Sequence, residues 1–209
     1  MEKRKSAMEE RKSATVQAFI YQDDKVLLVH EKEEGASVKD PDEINKPKPG
    51  KKGKPSAWAL PGGGVEFNPP FEALIQKLIE FICFYRIAPD QEAARAELSK
   101  AIPESAESEY EARLILELIR ECLLETGFLV KPIRWLFDHI NGPDHTVHVF
   151  YGQVVAGQLQ QKSVETDNCQ WFGLSELPTD LFHSHVARIY KATSMLGINA
   201  SGEEMGGIL

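Results

Sequence analysis

One stretch, Glu111 to Phe128 (EARLILELIRECLLETGF), decides the fold, because it has the pattern of a long amphipathic helix that ends at a glycine. Gly127 follows the last periodic residues, where a glycine commonly caps a helix. The apolar residues recur at four-residue spacing in two series: Leu114, Leu118 and Cys122, and Ile115, Ile119 and Leu123. The pattern predicts a helix with a wide apolar face.

The same helix carries three glutamates, Glu117, Glu121 and Glu125, spaced four residues apart. Like charges at this spacing are neighbours on a helix and destabilise it by about 0.2–0.5 kcal/mol per pair. They also approach the negative end of the helix dipole. A bound divalent cation would explain them, because magnesium and manganese prefer oxygen ligands. The alternative is a solvated acidic face, partly neutralised by Arg113 and Arg120.

A second stretch, Trp58 to Glu66 (WALPGGGVE), places three consecutive glycines after an apolar run. Such a run lets the backbone turn tightly and approach a ligand closely. Taken together, the two stretches resemble the signature of the Nudix hydrolase family, a Gly-Gly segment followed by a helix reading Arg-Glu-x-x-Glu-Glu-x-Gly. LPGGGVE supplies the first half and the residues from Arg120 to Phe128 supply the second.

The resemblance covers roughly Thr15 to Leu196 and implies an α/β protein, a Nudix α/β/α sandwich with a mixed sheet and a helical insertion inside the motif. It also implies a Mg²⁺- or Mn²⁺-dependent pyrophosphohydrolase. The expected substrate is a small-molecule nucleoside diphosphate derivative, either a nucleotide or a nucleotide sugar, and the expected reaction is cleavage of its phosphoanhydride.

The resemblance assigns roles to individual residues. Glu121, Glu125 and the carbonyl of Gly62 would hold the metal, and Arg120 would orient a carboxylate through a bidentate pair. A further carboxylate from a distant loop, as base or ligand, would be Glu165, with Asp167 as the second candidate. Residues that would contact the substrate are Gly63, Gly64 and Glu66, the last of which has a structural hydrogen-bonding role as its alternative.

The sequence departs from the signature at two points. Leu124 stands where the family has the first glutamate of its Glu-Glu pair. Arg120 also lies 54 positions after Glu66, where the family has about 11, which indicates an insertion of about 43 residues. The glutamate of the intervening loop has three candidates: Glu72, Glu109 and Glu111. These departures support an alternative function, a catalytically impaired Nudix-fold module that binds a ligand or regulates.

The chain divides into a charged arm (1–13), one Nudix domain (14–200) and a tail (201–209). A Lys/Pro/Gly-rich loop (31–56) carries a basic cluster that either solubilises the protein or attracts phosphates. Its lysines are Lys46, Lys48, Lys51, Lys52 and Lys54. The helical insertion (67–110) contains predicted helices from Phe71 to Tyr85 and from Gln91 to Ile102. Their apolar faces would cover the core, form a homodimer interface or serve as a substrate lid.

The remaining periodic segments predict strands and one closing helix. The helix is expected from His183 to Leu196, after a Ser-Glu-Leu-Pro turn. The strands are expected over residues 15–21, 25–30, 57–60, 128–130, 133–140, 145–155 and 169–172.

The composition of the chain indicates which classes of partner and which cell compartment to expect. Its 209 residues carry a net charge of −8, which argues against nucleic acid or an anionic membrane as a partner. No apolar run approaches membrane-spanning length, and the charged first residues lack the apolar region of a signal peptide. Three separated cysteines, Cys83, Cys122 and Cys169, indicate free thiols in a reducing compartment. We therefore expect a cytoplasmic protein.

Overall fold

The computed structural model describes residues 13–31, 56–103, 106–163 and 166–198. Within them lie seven strands and four helices. The strands are β1 (Ser13–Gln22), β2 (Lys25–Glu31), β3 (Trp58–Ala59), β4 (Gly62–Gly64), β5 (Phe128–Ile140), β6 (His145–Gly157) and β7 (Thr166–Gly173). The helices are α1 (Phe71–Phe84), α2 (Gln91–Ala101), α3 (Glu109–Thr126) and α4 (His183–Leu196).

The strands form one mixed sheet with β1 at its centre. The order is β3-β2-β1-β6-β5, while β4 pairs with β1 and β7 pairs with β2. β1 and β6 run parallel and the other pairs are antiparallel. The N-terminal half of β1 therefore lies between β6 and the glycine strand β4, and Val16 is in register with both His148 and Gly63.

Alternating side chains of β1 divide the core into two layers, as expected for a strand buried on both faces. Val16, Ala18 and Ile20 pack in an apolar cluster with residues of α1, α2 and α3. Phe19, on the opposite face, packs in a second cluster with Ile189 and Ala192 of α4. The α/β/α sandwich with a mixed sheet is confirmed.

The central helix α3 begins two residues earlier than its apolar pattern predicts and ends at the predicted glycine. Ser108 caps it by accepting a hydrogen bond from the Glu111 N–H (3.1 Å). Gly127 adopts the left-handed conformation (φ 75°), and its N–H donates to the Leu123 carbonyl. Every residue from 113 to 126 is buried. The alternative of a solvated acidic face is therefore wrong, because the glycine strand and the sheet cover that side of the helix.

The two inserted helices lie within residues 67–110 and pack on their own domain. Leu74, Leu78, Ile79 and Ile82 of α1 are buried in the cluster that also contains the apolar face of α3. The Tyr85 hydroxyl, just after α1, donates to the Leu124 carbonyl (3.3 Å). Of the arrangements that the sequence leaves open, the structure shows these helices covering the core.

Two further differences concern the strands. Segments 128–130 and 133–140 form the single strand β5, whose pairing with β6 shifts register on either side of Pro132. Bulges accommodate a proline that cannot donate to the ladder. The charged arm, the lysine-rich loop and the tail lie outside the described residues, apart from positions 13, 31 and 56. Of the helices in the described part of the chain, none has the length and apolar character needed to span a membrane.

Candidate active site

The glycine strand β4 lies directly against the C-terminal half of α3. The Gly62 N–H donates to Oε2 of Glu125 (2.7 Å), a charge-assisted hydrogen bond across the interface. Gly62 has φ +149°, and a Cβ there would overlap the Val16 carbonyl oxygen. Only glycine satisfies both conditions, so the backbone can reach Glu125 only with glycine at this position.

Gly63 makes an equally close approach to the other predicted metal ligand. A Cβ at Gly63 would overlap the carboxylate of Glu121. At Gly64, by contrast, a Cβ would meet no heavy atom within 4 Å. The backbone of Gly62 and Gly63 therefore lies in contact with the two carboxylates, whereas Gly64 is exposed to solvent.

The buried carboxylates are linked by one guanidinium. Arg120 Nε donates to Oε2 of Glu117 (2.7 Å), and its Nη2 donates to Oε1 of Glu121 (2.5 Å). Burial by itself would lower the pKa of Arg120, but the charges of Glu121 and Glu117 outweigh it and raise that pKa. Glu117, Glu121 and Glu125 are all buried, and the first two of them share this guanidinium in a poorly solvated region.

Two side chains of α3 hold the C-terminal end of the glycine segment by hydrogen bonds to the backbone of that segment. The Glu66 N–H donates to Oε1 of Glu117 (3.3 Å). Nη1 of Arg113 donates to the carbonyls of Glu66 and Pro69, both at 3.0 Å. The side chain of Glu66 is exposed, and these contacts involve only its backbone, so the substrate contact and the structural role of its side chain both stay predictions.

The remaining predicted carboxylates have different surroundings. Glu165 lies outside the described residues; the hydroxyl of the next residue, Thr166, donates to the Glu125 carbonyl (3.0 Å). Asp167 pairs instead with Nδ1 of His30 (2.6 Å). Glu111 accepts the Glu107 N–H at the start of α3 (2.8 Å). Glu72 and Glu109 are exposed. Glu117, rather than any of the three loop candidates, is the acidic partner of Arg120 besides Glu121.

The contact of Glu117 with the backbone of Glu66 is the feature that sequence reasoning missed. Glu117 and Arg120 stand three residues apart, a spacing that favours ion pairs on a helix. That local signal was available. The contact between Glu117 and the Glu66 backbone spans 51 positions and depends on how the glycine strand docks, which the local pattern does not specify.

The residues present fit a divalent cation, although they supply few side-chain ligands. Glu121 and Glu125 offer buried carboxylates one turn apart, and the space where a Gly63 Cβ would stand borders one of them. Among the residues that the structure describes, no three His, Cys, Asp or Glu side chains come together as a metal-binding group. Of the described residues, Glu121 and Glu125 are the side chains offered to a cation here, together with backbone oxygens.

Two cysteines lie behind the site as inert thiols. Complete burial raises the pKa of Cys122 well above its usual range, and the nearby charge of Glu125 adds to the effect. Burial and Glu125 raise the pKa of Cys169 to about 12. Both thiols are therefore protonated at neutral pH and are not activated as nucleophiles, which would require the thiolate. Cys83, the third cysteine, is half-buried, and all three are free.

The chain is similar to several solved structures of other proteins. No protein-family model matches it, and no curated protein matches it. An ADP-ribose pyrophosphatase from Streptococcus suis is 18% identical with a TM-score of 0.46, over 87% of this chain and 91% of that one. A Nudix hydrolase from Nitrosomonas europaea is 17% identical with a TM-score of 0.48, over 87% and 88%.

A MutT Nudix hydrolase from Burkholderia pseudomallei is also similar. It is 20% identical with a TM-score of 0.44, over 87% of this chain and 98% of that one. Two of these three solved structures are named Nudix hydrolases, and the sequence motif of this chain resembles the signature of the same family.

Proposed function

We propose that this protein is a magnesium-dependent pyrophosphohydrolase of the Nudix type. Its substrate would be a small nucleoside diphosphate derivative, a nucleotide or a nucleotide sugar, cleaved at the phosphoanhydride. The observation that carries the proposal is the pair of buried carboxylates, Glu121 and Glu125, held against the backbone of Gly62 and Gly63. Two carboxylates one turn apart on one helix face offer a divalent cation a pair of oxygen ligands.

The chain's own residues would divide the work as follows. Glu121 and Glu125 would hold Mg²⁺ or Mn²⁺, with the Gly62 carbonyl as a further ligand. Arg120 would keep Glu121 oriented through its guanidinium. The absence of side chains at Gly63 and Gly64 would let a diphosphate approach the carboxylates. When bound, the cation would neutralise phosphate oxygens and lower the pKa of a water molecule. Glu165 is our candidate to accept the proton of that water.

The rival proposal is a Nudix-fold module that binds its ligand without cleaving it. Leu124 supports it, because this position has a glutamate in the family signature. The lack of a three-carboxylate cluster among the described residues supports it as well. We favour the hydrolase because the two best-spaced glutamates are retained and both contact the glycine strand or the shared arginine. Both proposals are for a cytoplasmic protein that acts alone or as a homodimer.

The test is release of the two cleavage products, a nucleoside monophosphate and the phosphorylated remainder, from a panel of nucleotides and nucleotide sugars, with Mg²⁺ and with Mn²⁺. Glu121→Gln and Glu125→Gln should each lower turnover by at least ~100-fold while the protein stays folded. Glu80→Gln, an exposed glutamate of α1 that contacts Gln76, is the matched control and should retain full turnover. No release across the panel, combined with tight binding of one panel member in a thermal-shift assay, would establish the rival.

A further inference from the structure

Glu117 is the most deeply buried acid of the described chain, and both its oxygens are occupied. Its side chain has no solvent exposure. Oε2 accepts from Arg120 Nε, and Oε1 accepts from the Glu66 backbone N–H. A fully buried carboxylate with a charged partner and a backbone donor is tolerated, but removal of one partner is expensive. The proposed roles of Glu121 and Glu125 leave Glu117 without a function.

Glu117 acts together with Arg113, one turn earlier on α3, on the backbone of Glu66. Glu117 accepts the Glu66 N–H, and Arg113 donates to the Glu66 carbonyl and to the Pro69 carbonyl beyond it. Side chains four residues apart lie on one face of a helix, so the two residues hold both polar backbone groups of Glu66. Glu66 is the last residue of the glycine stretch before the insertion, and α3 therefore fixes the point where the motif is interrupted.

We propose that Glu117 is the positioning residue of the site. It holds Arg120 between two carboxylates, and it fixes the end of the glycine segment so that both halves of the interrupted motif stay aligned. The inference rests on the proposed function of Glu121 as a metal ligand. Glu117 itself contacts neither metal nor substrate in this scheme; it acts through Arg120 and the Glu66 backbone.

The pairing geometry gives this role a distinctive consequence. Arg120 divides its guanidinium between Glu117 and Glu121. Without a charge at position 117, the guanidinium is left to Glu121 alone and strengthens that pair. A cation that binds Glu121 must then compete with a guanidinium for the same carboxylate. Loss of Glu117 should therefore weaken metal binding, an effect that a purely structural role for Glu117 would not produce.

The experiment measures Mn²⁺ binding by calorimetry, and steady-state kinetics, on the full-length protein. We expect Glu117→Gln to weaken Mn²⁺ binding about 10-fold and to lower kcat about 10-fold, with KM for the substrate changed less than about 3-fold. The matched control is Glu97→Gln in α2. Glu97 forms an ion pair of the same spacing with Lys100 (2.6 Å), away from the site. Its substitution should leave metal affinity and kcat unchanged.

A second variant, Glu117→Asp, keeps the charge but shortens the side chain by one methylene, so that it cannot reach both Arg120 and Glu66. We expect a metal affinity between those of the wild type and Glu117→Gln. If Glu117→Gln melts at a lower temperature but binds Mn²⁺ as tightly as wild type, Glu117 is a structural residue and the positioning role is overturned. If both variants fail to fold, Glu117 is likewise a structural residue and the positioning role is overturned. If the wild-type protein neither binds Mn²⁺ nor hydrolyses any substrate, the proposed function itself is wrong, and the positioning role falls with it.

Discussion

The backbone of Gly63 lies on the carboxylate of Glu121, so close that a Cβ at position 63 would overlap it. Gly63→Ala should therefore push the Glu121 carboxylate out of place. Because misplacing a reacting group by about 1 Å can cost about 100-fold in rate, we expect turnover to fall by that order, with the protein still folded. Hydrolysis rates and the melting temperature of the variant are the measurements.

Gly64→Ala is the matched control for that substitution. It adds the same methyl group one residue later, where no heavy atom lies within 4 Å. The kcat of Gly64→Ala should stay within about 3-fold of wild type, whereas loss of the predicted substrate contact at Gly64 would raise KM. Equal losses in the two variants would mean that the glycine run is needed for its flexibility rather than for the approach of Gly63 to Glu121.

The apolar face of α1 provides a prediction about stability. Leu78 is fully buried in the cluster shared with α3, whereas Phe84, six residues later on the same helix, is 73% exposed. Leu78→Ala should lower the free energy of unfolding by about 2–5 kcal/mol. Phe84→Ala should change it by less than about 0.5 kcal/mol. Urea denaturation of both variants measures the difference, and equal effects would show that α1 does not pack on α3 in solution.

Removal of the whole insertion gives a stronger form of the same prediction. Replacing residues 70–105 by a short Gly-Ser linker would expose Leu114 and Leu118 of α3, which share a cluster with Leu78 and Ile82. We expect an insoluble protein, or a monomer that is much less stable. Solubility, mass in solution and urea denaturation are the measurements. A soluble variant with the oligomeric state and stability of wild type would contradict the packing described for α1.

The buried thiols predict how stability depends on pH. In the folded protein the pKa of Cys169 is raised to about 12 by burial, whereas an unfolded cysteine titrates near ~8.5. The folded state thus retains a proton that the unfolded state loses. The contribution of this thiol to the free energy of unfolding is constant below about pH 8.5. Above that pH the free energy of unfolding falls, with a limiting slope of about 1.4 kcal/mol per pH unit per thiol.

The measurement is the melting temperature between pH 8 and pH 10, for wild type and for Cys169→Ala. The decline should be steeper in wild type, because the variant has lost one of the thiols that couple unfolding to proton release. Cys122 should behave in the same direction, since its pKa is also raised. Parallel declines in the two proteins would show that the Cys169 thiol is not buried in the folded state.

Elements with a local cause were predictable from the sequence. Gly127 ends α3 because a left-handed residue is needed there, and the helix from His183 to Leu196 follows from its apolar period. The pair Glu121 and Glu125 followed from helical spacing. What escaped prediction depends on docking: Glu117 became buried because β4 and the segment after it close over α3. Residue spacing predicts which face of the helix carries a glutamate. Whether that face is exposed to solvent or buried is decided by tertiary packing.

Leu124 provides the last prediction. It stands where the family signature has a glutamate, and it lies on the same side of α3 as Glu117, since seven residues of helix return within about 20°. Glu117 cannot replace that glutamate at a metal, because it is about 10 Å away along the helix axis. Glu117 instead pairs with Arg120 (2.7 Å). The site should therefore hold fewer cations than a complete signature would, and hold them more weakly.

Restoring the acid by Leu124→Glu would place a carboxylate one turn after Arg120 and next to Glu125. Leu124 is buried but is not among the residues of either apolar cluster of the described chain, so its loss should cost little packing. The new carboxylate would bind a cation directly or draw Arg120 away from Glu121, and both effects favour metal binding.

We expect the variant to need several-fold less Mg²⁺ for half-maximal hydrolysis and to turn over faster. Its stability without metal should be modestly lower, because the added charge lies near Glu121 and Glu125. A magnesium titration of hydrolysis for both proteins is the measurement. A variant that gains neither metal affinity nor rate would show that position 124 does not face the metal, and that the alignment of α3 with the family signature is wrong or the site is not catalytic.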